Sequence, residues 1–136
     1  NYHRQGKQWS NAGRGWIMVY ADSLQADHLI AALENGDFYA STGVELSAYQ
    51  FSNNTITLDI KEKQGVNYTI EFIGCLEGES DSRILHSVNG SSAHFMVDEN
   101  YLFVRVKIMS DQVHPNPIED LNFEMAWTQP VQFVRN

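Results

Sequence analysis

The side chains most able to bind a metal ion are five histidines, and their spacing matches no helical or hairpin metal signature. They occur at irregular intervals, as His3, His28, His86, His94 and His114. Zinc sites take three or four ligands at short, regular spacings. His28 lies on a predicted helix beside Asp27, and we interpret it as a surface side chain.

Two of the histidines could approach each other. His86 and His94 flank Asn89-Gly90, the strongest hairpin signal in the chain, because both turn residues tolerate positive φ. On paired strands the two imidazoles could share one face, and Asp81 or Glu99 could supply a third zinc ligand. Such a site is the less favoured interpretation because it lacks an obvious full ligand set, so we assign no metal ligand.

Two other polar segments resemble sites without meeting their requirements. Ser41-Thr42-Gly43 lacks both the Gly-x-Ser-x-Gly spacing and the Walker spacing. We interpret it as small residues that let a strand leave one unit and enter the next. The acidic loop of Glu77, Glu79 and Asp81 lacks the twelve-residue frame of a calcium loop, so it is expected to be solvated.

The remaining candidates are aromatic or sulfur-containing side chains. Trp127, Tyr101 and Phe103 could form a platform on which a sugar stacks, although strand aromatics usually pack in a core. Cys75 is the only cysteine, which excludes an internal disulfide and a cysteine-only metal cluster. It has no basic neighbour to lower its pKa, so no reactive thiol is predicted. No catalytic or cofactor-binding residue is assigned.

The first elements that could position these groups are a strand and a helix. The apolar run within Arg14–Ala21 is suited to a strand buried on both faces. Asp22 or Ser23 is expected to cap a following helix, and Gly36 fits the left-handed position after it. Strand, turn and helix in this order are typical of a parallel or mixed sheet. The helix should bury one stripe, formed by Ala26, Leu29, Ile30 and Leu33.

From Glu45 onward the hydrophobic period changes to two, which predicts β-strands. Turns are expected at Asn53-Asn54 and Gln64-Gly65, and Asp111–Asn122 is expected to be a loop because it contains two prolines. A last strand is expected within Phe123–Val134. About seven short strands punctuated by turns predict an antiparallel β-sandwich.

Composition limits the classes of partner. The net charge of −8 disfavours binding to nucleic acid over a broad face. The sequence contains no run of 18 apolar residues, so no membrane span is predicted. A local basic patch remains, which we interpret as a solvated segment; it consists of His3, Arg4, Lys7 and Arg14. A disulfide-free chain fits the bacterial cytoplasm or periplasm, so the compartment stays open.

Several segments, taken in order, resemble the C-terminal region of bacterial PHP-domain proteins, the polymerase and histidinol phosphatase superfamily of metal-dependent phosphoesterases. The first pieces are Gly15–Val19, Leu24–Leu33 and the Gly-x-Phe-Tyr-x-Ser-Thr-Gly segment of Gly36–Gly43. The later pieces are Phe103–Val106, an aromatic-Val-Arg-Val strand, and Ala126–Pro130. The resemblance covers nearly the whole chain, and the Phe-Tyr-x-Ser-Thr-Gly segment is its most specific part.

The resemblance implies a distorted β/α barrel that binds two or three divalent metals, such as zinc, manganese or iron. In that family the metals activate a bridging water for attack on a phosphate ester. The His-x-His and late Asp-x-His motifs of the barrel are absent from this sequence. His3 has Asn rather than Asp two residues earlier, so no ligand role is carried onto it. We therefore expect the chain to be a fragment of a longer polypeptide and inactive by itself.

These observations together predict a mainly β chain. Residues 1–44 are expected to be the terminal strand-helix element of a PHP-type barrel, and residues 45–136 an appended antiparallel β-sandwich of about seven strands. The expected partner is the barrel of the same polypeptide, with a homodimer as a further option and with neither nucleic acid nor membrane as a partner. The alternative function is a β-sandwich module that binds a carbohydrate or a protein.

Overall fold

The computed structural model describes residues 15–21, 23–118 and 121–135, and within these ranges the chain forms nine β-strands and one α-helix. The first elements are β1 (Trp16–Val19), α1 (Ala26–Glu34) and β2 (Phe38–Ser41). The later strands are β3 (Leu46–Ser52), β4 (Thr55–Ile60), β5 (Tyr68–Leu76), β6 (Arg83–Asn89), β7 (Ser92–Met96), β8 (Tyr101–Ile118) and β9 (Leu121–Thr128). The prediction of a mainly β chain, with seven strands after residue 45, is confirmed.

The strands of the described ranges form two antiparallel sheets. The larger sheet has the order β1-β2-β9-β8-β5-β6, and the smaller sheet has the order β3-β4-β7. Both sheets contribute to one hydrophobic cluster, so the arrangement is sandwich-like. Its fully buried members include Ile56, Leu58, Ile70, Phe72, Val97, Val104, Val106 and Ile108.

The expectation that the first strand and helix form a parallel β–α unit is wrong. β1 pairs antiparallel with β2, and Val19, the last residue of β1, lies opposite Phe38, the first residue of β2. The nine-residue helix therefore leaves and returns at the same end of the sheet, where the Tyr20 N–H donates to the Asp37 carbonyl at 2.7 Å. A parallel crossover would instead have to carry the chain back along the whole strand. β1 is an edge strand rather than a strand buried on both faces.

The helix ends as its glycine predicts but begins later than expected. The N-cap is Gln25 rather than Ser23, and the Ser23 hydroxyl accepts the Gln25 N–H outside the helix; Asp22 lies outside the described residues. At the other end Gly36 has φ +76°, and the Asp37 N–H reaches back to the Ala32 carbonyl at 2.8 Å. This is a Schellman ending, which satisfies carbonyls that the last helical turn leaves without partners.

Two asparagine-containing turns have different outcomes. Asn53 and Asn54 both adopt positive φ and join β3 to β4 as a hairpin, as predicted. The hairpin expected at Asn89-Gly90 is wrong, because β6 pairs with β5 while β7 pairs with β4. Here the chain passes from the larger sheet to the smaller one, and the next residue, Ser91, accepts a bond from the Ile60 N–H. The turn chemistry was recognised, but the strands that it connects have other partners.

The loop expected at Asp111–Asn122 is also wrong, because β8 continues as far as Ile118. The pairing of β8 with β5 ends at Ser110, opposite Tyr68, so the later part of β8 pairs with β9 alone. A strand with one open side tolerates prolines, which cannot donate a ladder hydrogen bond. The final strand is present, and its pairing with β8 ends before Pro130.

The expected boundary near residue 44 lies between β2 and β3. β2 pairs with β9, and Ala40 is the residue opposite Trp127. The segments before and after residue 44 therefore share the larger sheet through backbone hydrogen bonds. The division into a barrel element and an appended sandwich stays a prediction.

Candidate functional site

The histidine pair considered for zinc is not brought together as a hairpin site. His86 lies on β6 of the larger sheet, where its ring stacks on Phe72 and on Phe95 with centroids 6.1 and 6.3 Å away. His94 lies on β7 of the smaller sheet, is exposed and pairs with Thr57. Across the described ranges, no group of three or more His, Cys, Asp or Glu side chains could hold a metal ion.

The other single candidates have ordinary surroundings. His28 is exposed, and its Nδ1 lies 2.6 Å from the Ser23 hydroxyl. Glu79 of the acidic loop forms an exposed ion pair with Arg83 at 3.6 Å. Cys75 is buried, with its sulfur 3.3 Å from the Glu79 carbonyl. The basic patch at His3, Arg4, Lys7 and Arg14 lies outside the described residues.

The three side chains of the suggested aromatic platform have separate surroundings. The Tyr101 ring contacts Phe95, with centroids 5.8 Å apart, and packs against the core. In the sheet register Trp127 lies opposite Lys107, which is four residues along β8 from Phe103, or roughly 13 Å at the rise of a β-strand. Stacking of a sugar on these side chains stays a prediction.

Ser41 and Thr42 make backbone contacts that account for their types. The buried Ser41 hydroxyl donates to the Val44 carbonyl at 2.6 Å and accepts the Gly43 N–H at 3.0 Å. The Thr42 hydroxyl accepts the Met125 N–H at 2.9 Å, and the Thr42 N–H donates to the Met125 carbonyl at 2.9 Å. Thr42 thus continues the pairing of β2 with β9 for one more residue through its side chain.

Gly43 is required by space as well as by backbone conformation. Its φ is +153°, and a Cβ atom at this position would overlap the side chain of Glu124. The Glu124 carboxylate is mostly buried and pairs with the Lys63 ammonium at 3.2 Å. The Ser-Thr-Gly segment therefore fastens the exit of β2 to β9, and its side chains are engaged with the backbone rather than aimed at a ligand.

The predicted apolar stripe of α1 is largely exposed. In the helix only Ala32 is buried, whereas Ile30 and Leu33 are 55% and 43% exposed. The neighbouring segments add further exposed apolar side chains. We call the whole set the β1–α1 apolar residues: Trp16, Ile17, Leu24, Ile30 and Leu33.

A pocket of about 690 Å³ opens beside the C-terminal end of α1. Its aromatic wall contains Tyr20 and Tyr49, whose rings stack with centroids 5.7 Å apart at an interplanar angle of 17°. Phe38 and Phe51 extend this wall. We call this cavity the Tyr20–Tyr49 pocket, and its volume lies within the range of about 300–1,000 Å³ of small-molecule sites.

Polar side chains surround the aromatic wall. Glu34 and Asp37 contribute carboxylates, and Asn35, Gln50 and Gln129 contribute primary amides. No lysine or arginine lines this cavity among the described residues. The pocket therefore offers hydrogen-bond donors and acceptors in a locally negative field, which disfavours anionic ligands.

The tyrosines behind the pocket are held as neutral phenols. Burial raises the pKa of Tyr20, and the nearby Tyr39 and Tyr49 raise it further. Burial likewise raises the pKa of Tyr39 and of Tyr49. The Tyr39 hydroxyl accepts the Leu46 N–H at 3.0 Å, which opposes part of this shift. The cluster therefore joins the two sheets without introducing charge.

Sequence reasoning missed this pocket. Tyr20, Tyr49 and Gln129 belong to segments far apart in the sequence, and none of them lies in a short motif. A hint was available in the aromatic and amide content of β3 at Tyr49-Gln50-Phe51, which was interpreted only as part of a strand.

Comparisons with models of known families, with curated proteins and with solved structures find no match to this chain.

Proposed function

We propose that this chain is the C-terminal region of a PHP-type metal-dependent phosphoesterase and acts as an accessory β-domain. The proposal begins from the segments that resemble this family in the same order along the chain. In the structure, the most specific of them runs from the glycine after α1, through β2, to Gly43. The Ser and Thr of this segment have structural contacts, which supports an accessory role for the region rather than a catalytic one.

The observation that carries the proposal is the exposure of the β1–α1 apolar residues. Leu24 is 91% exposed, Ile30 is 55% exposed and Ile17 is 53% exposed. Ile30 and Leu33 lie three residues apart and share one side of α1, and exposed apolar side chains that adjoin one another mark surfaces that contact other structural units. A PHP barrel preceding β1 would cover them, because its outer helices and strands offer a complementary apolar surface.

The described part of this chain does not fit the metals of such an enzyme. It contains no cluster of three or more metal-ligating side chains, so zinc, manganese or iron would be held by the barrel. No step of the reaction is assigned to a residue of this chain. The chain alone is therefore expected to lack phosphoesterase activity.

The activity test compares two polypeptides from the same gene. This chain alone, assayed with p-nitrophenyl phosphate and added manganese, zinc or iron, should give no turnover above a metal-only control. The complete gene product should hydrolyse the ester and lose activity with a chelator. Turnover by this chain alone would contradict the accessory role, and an inactive complete product that lacks the barrel motifs would contradict the family proposal.

The partner proposals follow from the same surface and from charge. The barrel of the same polypeptide is the proposed partner of the β1–α1 apolar residues, and a second copy of the chain is the competing occupant. Light scattering after size exclusion distinguishes a monomer from a homodimer. Nucleic acid is disfavoured by the net charge of −8. No helix among the described residues is long and apolar enough to span a bilayer.

A second candidate function is a ligand-binding module, and a separate feature favours it. The aromatic side chains named with Trp127 have separate surroundings, whereas the Tyr20–Tyr49 pocket combines an aromatic wall with amides and carboxylates. Binding of small glycans or peptides to the isolated chain tests this candidate without any phosphoesterase assay.

A further inference from the structure

We infer that the Tyr20–Tyr49 pocket binds a neutral oligosaccharide. The inference deepens the ligand-binding candidate and does not depend on the phosphoesterase proposal. It is drawn from three features of the cavity: its aromatic wall, its polar side chains and its continuation along the C-terminal segment.

The ring of the aromatic wall that can meet the apolar face of a pyranose is Phe51, which makes no ring contact among the described residues. Tyr20 is 37% exposed, but its ring contacts both Tyr49 and Tyr39, so Tyr20 and Tyr49 form the back of the wall. Sugar rings present C–H groups on one face, and these pack on aromatic surfaces of this kind. A cage for an organic cation would need rings on several sides of the ligand, whereas these two rings stack on each other.

The polar side chains match hydroxyl groups. A sugar hydroxyl both donates and accepts, and a primary amide such as Gln50, Asn35 or Gln129 can serve both roles at once. Asp37 and Glu34 accept from further hydroxyls, and neither carboxylate forms an ion pair with another described residue. The absence of a lysine or arginine from the described lining argues against phosphorylated, sulfated or sialylated sugars.

The surface beyond the pocket favours a chain of sugars rather than a single unit. A second depression, of about 650 Å³, shares Phe51, Pro130 and Val131 with the first. Phe103 and Gln132 line its far side. A ligand that crosses the shared residues would contact both depressions, so an oligosaccharide should bind more tightly than a monosaccharide.

The test begins with a glycan array that contains neutral, sialylated and sulfated oligosaccharides and their monosaccharides. Calorimetric titration with the best array ligand then measures the affinity of two variants. Asp37→Ala and Gln50→Ala remove the polar groups of exposed side chains from the lining, so the fold should be retained, as checked by circular dichroism. Each variant should weaken binding at least about tenfold, because each loses a hydrogen bond to the ligand.

Matched controls alter the same residue types outside both depressions. Asp81→Ala and Gln64→Ala lie in exposed turns and should leave the affinity unchanged. The inference is overturned if no neutral glycan binds, if only anionic glycans bind, or if the pocket variants bind as tightly as the controls. Tight binding of choline or of a lysine-rich peptide that is lost in Asp37→Ala would also overturn it, because the pocket would then be a cation site. None of these outcomes bears on phosphatase activity.

Discussion

Replacing Thr42 by valine should destabilise the chain, because the hydroxyl of Thr42 acts as a backbone partner. Valine keeps the shape of the side chain but cannot accept the Met125 N–H, now bonded at 2.9 Å. Met125 is only 9% exposed, so water has little access to the donor that is left. Leaving a buried N–H unpaired costs about 1–3 kcal/mol.

The expected size of the effect can be followed by denaturation. For 136 residues, an unfolding entropy of about 2.1 cal/mol/K per residue converts 1 kcal/mol into a shift of about 3.5 °C. The melting temperature of Thr42→Val should therefore fall by about 4–10 °C, and urea unfolding should show a lower midpoint with an unchanged slope. Thr42→Ser keeps the hydroxyl and should recover most of the loss.

The control for this prediction is Thr57→Val. Thr57 is exposed on β4 and has no side-chain hydrogen bond among the described contacts, so its replacement should change stability by less than about 0.5 kcal/mol. If Thr42→Val behaves like this control, the hydroxyl does not hold β2 to β9. The Ser41–Gly43 segment would then be available to bind a ligand, which is the role that we reject above.

Three further predictions concern the same region. Gly43→Ala should destabilise the chain by more than about 1 kcal/mol in urea unfolding, because it combines a positive φ with overlap of Glu124; wild-type stability would contradict this packing. Above pH 10 stability should fall as the pH rises, because burial raises the pKa of Tyr39 and of Tyr49 and the unfolded chain therefore loses their protons first; a flat profile from pH 9 to 12 in guanidinium titrations would refute their burial. Ile30→Lys should change the free energy of unfolding of the isolated chain by less than about 0.5 kcal/mol, because the Ile30 side chain is 55% exposed. A large loss of stability would show that this side of the helix is already covered.

The parts of the fold that sequence reasoning captured are those that depend on local chemistry. The alternation of apolar residues at Ile56, Leu58 and Ile60 with polar residues indicates which side of β4 is buried, and this holds whichever strands lie beside β4. The helix end at Gly36 and the hairpin at Asn53-Asn54 each require positive φ, which few residue types adopt readily.

The errors arose where the partner of a strand decides the structure. Asn89-Gly90 has hairpin chemistry, but the strands on either side pair in different sheets. Pro115 and Pro117 indicated a loop, yet one open side allows β8 to continue through them. The periodicity of the first strand and helix could not distinguish a parallel crossover from a helix that returns to the same end of the sheet.

The candidate site was the least predictable part. The Tyr20–Tyr49 pocket is assembled from the end of β1, the end of α1, β3 and the segment after β9. No local spacing links Tyr20 with Gln129, so only the topology brings them together. The Ser-Thr-Gly segment shows the reverse case, because its small residue types pointed to a structural role and its hydroxyls bond to the backbone.

We propose above that this chain is an accessory domain following a metal-dependent barrel whose ligands lie earlier in the same polypeptide. Sequencing the reading frame upstream of the codon for Asn1 tests it most directly. The account predicts one uninterrupted frame that encodes a His-x-His motif and, shortly before Asn1, an Asp-x-His motif. A frame that begins at or just before Asn1, or one that encodes neither motif, would contradict it.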